Sequence, residues 1–96
     1  MAKLTLLFKG EKISYIELEK KLSKNELINN IVNDGVINDN SVIDFYNKEN
    51  NTQLHSYTVN YGNKNYLFYE TINVTQDEKG NKKYNDYKSV EIFKID

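Results

Sequence analysis

The chain has no cysteine, no proline, no arginine and no tryptophan, and only one alanine and one histidine. Without cysteine it can form neither a disulfide staple nor a thiolate metal site. The core of these 96 residues must therefore come from Ile, Leu, Val, Phe and Tyr. A chain this short makes one domain, residues 1–96, with a thin core worth about 3–5 kcal/mol. The missing arginine removes the planar fork that grips phosphate, carboxylate or guanine bidentately. Thirteen lysines against fourteen acidic residues leave a net charge of -1. No field of one sign is available to draw in nucleic acid or an anionic membrane. Nothing approaches a membrane span. The stretch from Met1 to Lys9 is interrupted by Thr5, closed by Lys9 and followed by no small-residue cleavage site, so it does not read as a signal peptide. A cytoplasmic location is expected.

What is present is patterned. Residues 3–9 read as a strand with Leu4, Leu6 and Phe8 on one face, Thr5 and Leu7 on the other, and Gly10 as its end. Ser14-Tyr15-Ile16-Glu17 is a capping box, and Tyr15, Leu18 and Leu22 form the stripe of a helix over 15–22. Ser23-Lys24-Asn25-Glu26 reads as a second capping box. It starts a helix over 25–33 that turns Leu27, Ile28, Ile31 and Val32 inward, with Gly35 left-handed beyond its end. Segment 41–47 fits a short helix capped by Ser41. From Gln53 the period becomes two. A turn centred on Asn63-Lys64 sets Val59 against Phe68 and Tyr57 against Glu70. A second turn, with Gly80 at positive φ, sets Val74 against Tyr84, Glu70 against Lys88 and Phe68 against Val90. The expected fold is a two-layer α+β domain of order β-α-α-(α)-β-β-β. An antiparallel meander of three C-terminal strands, joined at one edge by the first strand, packs against two or three short helices.

Candidate chemistry is sparse. His55 lies on the apolar face, and the sequence shows no second histidine, orienting acid or nucleophile motif beside it. It reads as structural. The carboxylates fit caps and turns, and no calcium loop or glycine-rich phosphate loop occurs. The chain is expected to be no enzyme, with no catalytic residue, no metal and no cofactor.

The tyrosines carry the positive signal. The alternation sends Leu67, Tyr69, Tyr87, Phe93 and Ile95 to the outer sheet face, which is too apolar to be simply solvated. Leu67, Tyr69, Tyr87 and Phe93 are therefore expected to bind a partner or to form the seam of a homodimer. Asp77, Glu78, Asp86 and Glu91 near that face would imitate phosphate spacing and cover a basic groove. The expected partner is a larger host protein or a protein–nucleic-acid complex.

Phe, Tyr, Met, Ile, Asn and Lys, the residues of AT-rich codons, supply 50 positions. That points to a low-GC bacterium or to its phages and mobile elements. In size, composition and lack of a catalytic constellation the chain resembles small accessory proteins of such elements, including anti-CRISPR proteins. This resemblance implies an inhibitor of a host defence nuclease or of its nucleic-acid complex. The alternative is a winged-helix-like DNA-binding regulator. It would use the helix at 25–33, with Lys24, Asn25, Asn29, Asn30 and Asn33 exposed and asparagine reading adenine.

Overall fold

The computed structural model describes residues 3–96, so Met1 and Ala2, where the reading of the N-terminus begins, lie outside the described residues. The elements run β1 (Leu4–Ile13), α1 (Tyr15–Lys24), α2 (Glu26–Asp34), β2 (Val36–Asn47), β3 (Thr52–Tyr61), β4 (Lys64–Gln76) and β5 (Lys82–Ile95). The five strands form one antiparallel sheet in the order β1-β5-β4-β3-β2. Both helices pack on one face, called inner here, and the architecture is the expected α+β domain.

Each helix starts where its cap is. Ser14 Oγ accepts the Glu17 N–H at 3.2 Å, as its capping box requires. The second cap is Asn25 and not Ser23. Asn25 Oδ1 accepts the Ile28 N–H at 3.1 Å, while the Asn25 N–H closes α1 on the Leu22 carbonyl. One residue thus joins the helices, because asparagine can end one and cap the next. Their burial is narrower than the stripes suggest. Leu18, Ile28 and Ile31 are buried, whereas Tyr15, Leu27 and Val32 are exposed. Gly35 is extended (φ -70°) and not left-handed.

The core lies between the helices and the sheet. Leu18, Ile28 and Ile31 meet Val59, Tyr66, Phe68, Val90 and Ile92, with Ile13 from the edge strand. Tyr57 stacks on Phe68, with ring centroids 5.2 Å apart and planes 8° apart.

Register differs from the reading in instructive ways. The β3–β4 turn is Gly62-Asn63, both with φ near +60°. That is the two-residue turn whose twist suits a hairpin. It pairs Val59 with Tyr66, Tyr57 with Phe68 and His55 with Glu70. The slip is two residues, so every side chain keeps its face. At the β4–β5 turn Gly80 has φ +85° and Val74 does face Tyr84. Two irregularities in β5 then move the pairing to Glu70 with Val90 and Phe68 with Ile92. Lys88 falls in the second of them, so the expected Glu70–Lys88 pair does not form. A bulge at Leu7 does the same to β1. Leu4 and Leu6 face outward, and both Leu7 and Phe8 pack against the core.

Segment 41–47 is strand and not helix. Val42, Ile43 and Phe45 favour a pleated surface, and β2 pairs with β3 from Ile43 to Asn47. Ser41 caps nothing. Its hydroxyl donates to the Asn38 carbonyl at 2.6 Å and accepts the Thr58 N–H at 2.8 Å, holding the irregular stretch 38–43 in place.

Candidate interaction surface

Cross-strand partners share a face, so the register assembles the outer surface row by row. One row is Leu4, Ile95 and Asn65; the next is Leu6, Phe93, Leu67 and Thr58. A third is Lys9, Glu91, Tyr69, Ser56 and Ile43, and a fourth is Glu11, Ser89, Thr71, Leu54 and Phe45. The apolar members span the sheet from edge to edge. Leu6 is 49 % exposed, Ile43 55 %, Phe45 58 % and Tyr69 38 %. Leu54, Leu67, Phe93 and Ile95 are half-buried among them. Among the described residues no helix or loop covers this face; both helices are on the other side.

Of the expected surface residues, Leu67, Tyr69 and Phe93 stand together here. Tyr87 does not. The β5 irregularity at Lys88 turns it inward, opposite Ile72 and Ile13 and against the core. Leu4, Leu6, Ile43, Leu54 and Phe45 belong to the surface but were not expected there. Leu54 lies in β3; for the other four the signal was the apolar alternation of β1 and β2, obscured by one bulge and by the helical reading of 41–47.

The four carboxylates are dispersed. Glu91 lies on the outer face, between Tyr69 and Lys9 in the pairing. Asp77 and Glu78 belong to the β4–β5 turn, and Asp86 is exposed in the irregular part of β5. Asp77 is occupied by the turn itself. Its Oδ1 accepts the N–H of Asn81 (2.8 Å), its Oδ2 accepts from the Asn81 side-chain amide (3.1 Å) and its Oδ1 also accepts the N–H of Lys79 (2.9 Å), and these bonds hold its carboxyl below the ordinary range.

The inner face continues past the helices and carries the chain's histidine. His55 has an orienting acid after all, supplied by the neighbouring strand. Asp44 Oδ1 lies 2.9 Å from His55 Nδ1. Beside it, across the next strand, is Glu70. Burial pushes the Glu70 carboxyl up and nearby His55 offsets part of that rise. Burial, then Glu70, also pushes up the hydroxyls of Tyr57 and Tyr87. Among the described residues no group of three or more His, Asp or Glu side chains is arranged to hold a metal.

The raised Glu70 pKa predicts a pH-dependent stability. Above the raised folded value the buried charge costs the folded state. As pH falls through that value toward the unfolded one, the cost disappears. Glu70→Gln should therefore raise the melting temperature near about pH 7, and the gain should vanish by about pH 4, where the unfolded carboxyl is itself protonated. Melts across that range test this; a gain that does not change with pH would contradict it.

The expected DNA-reading residues sit on or beside the helices. Asn25 is used as a cap, and Asn29 and Asn33 line a shallow groove between α1 and α2 with Glu19, Lys20 and Val32. The accompanying strands are not a short wing but a five-stranded sheet with strands of 10 to 14 residues. No described helix is long and apolar enough to cross a membrane. No protein-family model matches the chain, and comparison with curated proteins and with solved structures found no match.

Proposed function

We propose that this protein is a non-catalytic binding module that works by laying its outer sheet face on a larger protein. The observation that carries the proposal is the uncovered apolar surface around Tyr69, Phe93 and Phe45. Strand spacing and rise give the four rows, apolar and polar members together, a footprint of roughly 400–500 Å². The largest apolar patch of an ordinary monomer covers about 300–600 Å² and is often functional. Tyrosine and phenylalanine supply contact area at low cost in side-chain entropy, which suits them as anchors. A module that acts by occupancy inhibits or tethers what it covers. The composition supports a partner in a low-GC bacterial host, and inhibition of a defence nuclease or its nucleic-acid complex is the form of this reading that we put to test.

The double change Tyr69→Ala with Phe45→Ala removes two exposed rings and should leave the circular dichroism spectrum native. It should abolish capture of the partner from a low-GC host lysate, while Asn29→Ala with Asn30→Ala and His55→Gln should leave capture within a factor of about three, as expected for residues outside the contact. The opposite pattern, accompanied by a gel shift on DNA by the wild-type chain, would replace this reading with the regulator.

A further inference from the structure

The sheet ends in two edges, β1 and β2, and they are built differently. An edge strand turns alternate N–H and C=O groups away from its neighbour and offers them to any further strand. β1 carries the usual defences. A bulge lies at Leu7, Lys12 is at positive φ, and Lys9 pairs with Glu11 at 3.2 Å along the rim. β2 has no lysine and no proline between Val36 and Asn47. Its irregular stretch 38–43 interrupts the edge, but from Ile43 to Asn47 it pairs with β3 residue for residue. Among the described residues no strand pairs beyond it. Asp44 is the one charge on this regular stretch, and its carboxylate is turned onto His55 of β3.

A second copy of the chain fits that edge. Antiparallel pairing about a two-fold axis uses the same stretch twice, and its midpoint, Phe45, falls on the axis. Phe45 then lies opposite the partner's Phe45, Asp44 opposite the partner's Tyr46, and Ile43 opposite the partner's Asn47. No like charges meet. An axis on Asp44 would set two carboxylates face to face, which is destabilising. An axis on Tyr46 would push Ile43 and Asp44 past the strand end, onto the turn that begins at Lys48. Phe45 is 58 % exposed, and β3 sets Leu54 beside it. In the pair the two Phe45 rings meet, and the apolar row runs unbroken from one Leu54 to the other. Aromatic cross-strand pairs of this kind are stabilising.

A residue that pairs with its own copy keeps its face, so this axis stands perpendicular to the sheet. Two five-stranded sheets become one of ten strands, with both outer faces on the same side. One footprint of roughly 400–500 Å² falls short of the roughly 800 Å² per partner of a specific interface. Two side by side reach it.

We propose that the protein is a two-fold homodimer in which β2 pairs antiparallel with β2 of a second copy, centred on Phe45. The pairing rests on the edge alone; its service to a larger partner rests on the reading of the outer face given above.

The chain has no cysteine, so single cysteine variants report the register. In the dimer the two Cα atoms of residue 45 are about 4.5–5.5 Å apart, within disulfide reach. Phe45→Cys should therefore oxidise to a covalent dimer in a glutathione buffer. Ile43→Cys should not, because its two copies sit about 14 Å apart along the strands; mixed with Asn47→Cys it should form the heterodisulfide. Sedimentation velocity of the wild-type chain should show a reversible monomer–dimer equilibrium. Phe45→Lys, at an exposed position, should raise the dimer dissociation constant at least about tenfold, by setting two charges opposite each other in place of the aromatic pair. Tyr69→Ala, away from the seam, should change neither the crosslink nor the dimer, so a loss of partner capture in that variant belongs to the face and not to the edge. A wild-type chain that stays monomeric at every concentration would overturn the proposal. So would equal oxidation of Phe45→Cys and Ile43→Cys, or a dimer lost in Tyr69→Ala and kept in Phe45→Lys.

Discussion

Phe68→Ala should unfold the domain or bring it to the edge of unfolding. Phe68 is 4 % exposed at the middle of β4, with Tyr57 stacked on one side and Ile92 paired on the other. Truncating a buried phenylalanine costs about 3–5 kcal/mol, from lost transfer energy and the cavity left behind. The stacked pair adds about 0.5–1.5 kcal/mol that the mutation also forfeits. A domain of this size loses roughly 4–8 °C of melting temperature per kcal/mol, so a fall of more than about 12 °C is expected. Thermal unfolding followed by circular dichroism measures it. A cooperative melt within a few degrees of wild type would mean that Phe68 is not central to the core.

Gly35→Ala should be nearly as damaging, for a reason unrelated to left-handed backbone. The α2 C-terminus enters β2 through Gly35, whose N–H donates to the Ile31 carbonyl at 2.8 Å. A Cβ there would run into that same carbonyl oxygen and into Val59 Cγ1. The carbonyl is backbone and Val59 is buried in the core, so neither can move cheaply. Overpacking of this kind costs about 1–3 kcal/mol, occasionally more. Chemical denaturation should show a lower midpoint with an unchanged slope. An unaltered midpoint would show that the helix end can shift away from β3.

The elements were legible where local chemistry decides them. Ser14 caps α1, the alternation from Gln53 onward makes β3 and β4, and Gly80 takes the positive φ its turn demands. A two-residue slip at Gly62-Asn63 changed partners but no faces. A one-residue irregularity is different, because it turns everything beyond it over. Leu7 and Lys88 are such places, and no local signal marks either of them. That is why Leu4 and Leu6 face outward while Tyr87 faces the core. Segment 41–47 has too few residues to show its period, and pairing with β3 decided it. The His55–Asp44 contact was hidden by the same ambiguity. With 41–47 read as helix, nothing sets Asp44 opposite His55; with β2 in the sheet, the pairing register does. Leu67, Tyr69 and Phe93 were readable on the outer face because β4 from Asn65 to Thr71 and β5 from Ser89 to Ile95 pair without interruption.

The central claim is that partners meet the outer sheet face and not the helices. Site-specific photo-crosslinking tests it without knowledge of the partner. A photoreactive phenylalanine placed at Tyr69, and in a separate chain at Asn29 on α2, would be irradiated in lysate of a low-GC host. The account predicts a discrete adduct from position 69 and none from position 29. An adduct from position 29 alone, or the absence of any adduct from position 69, would contradict it.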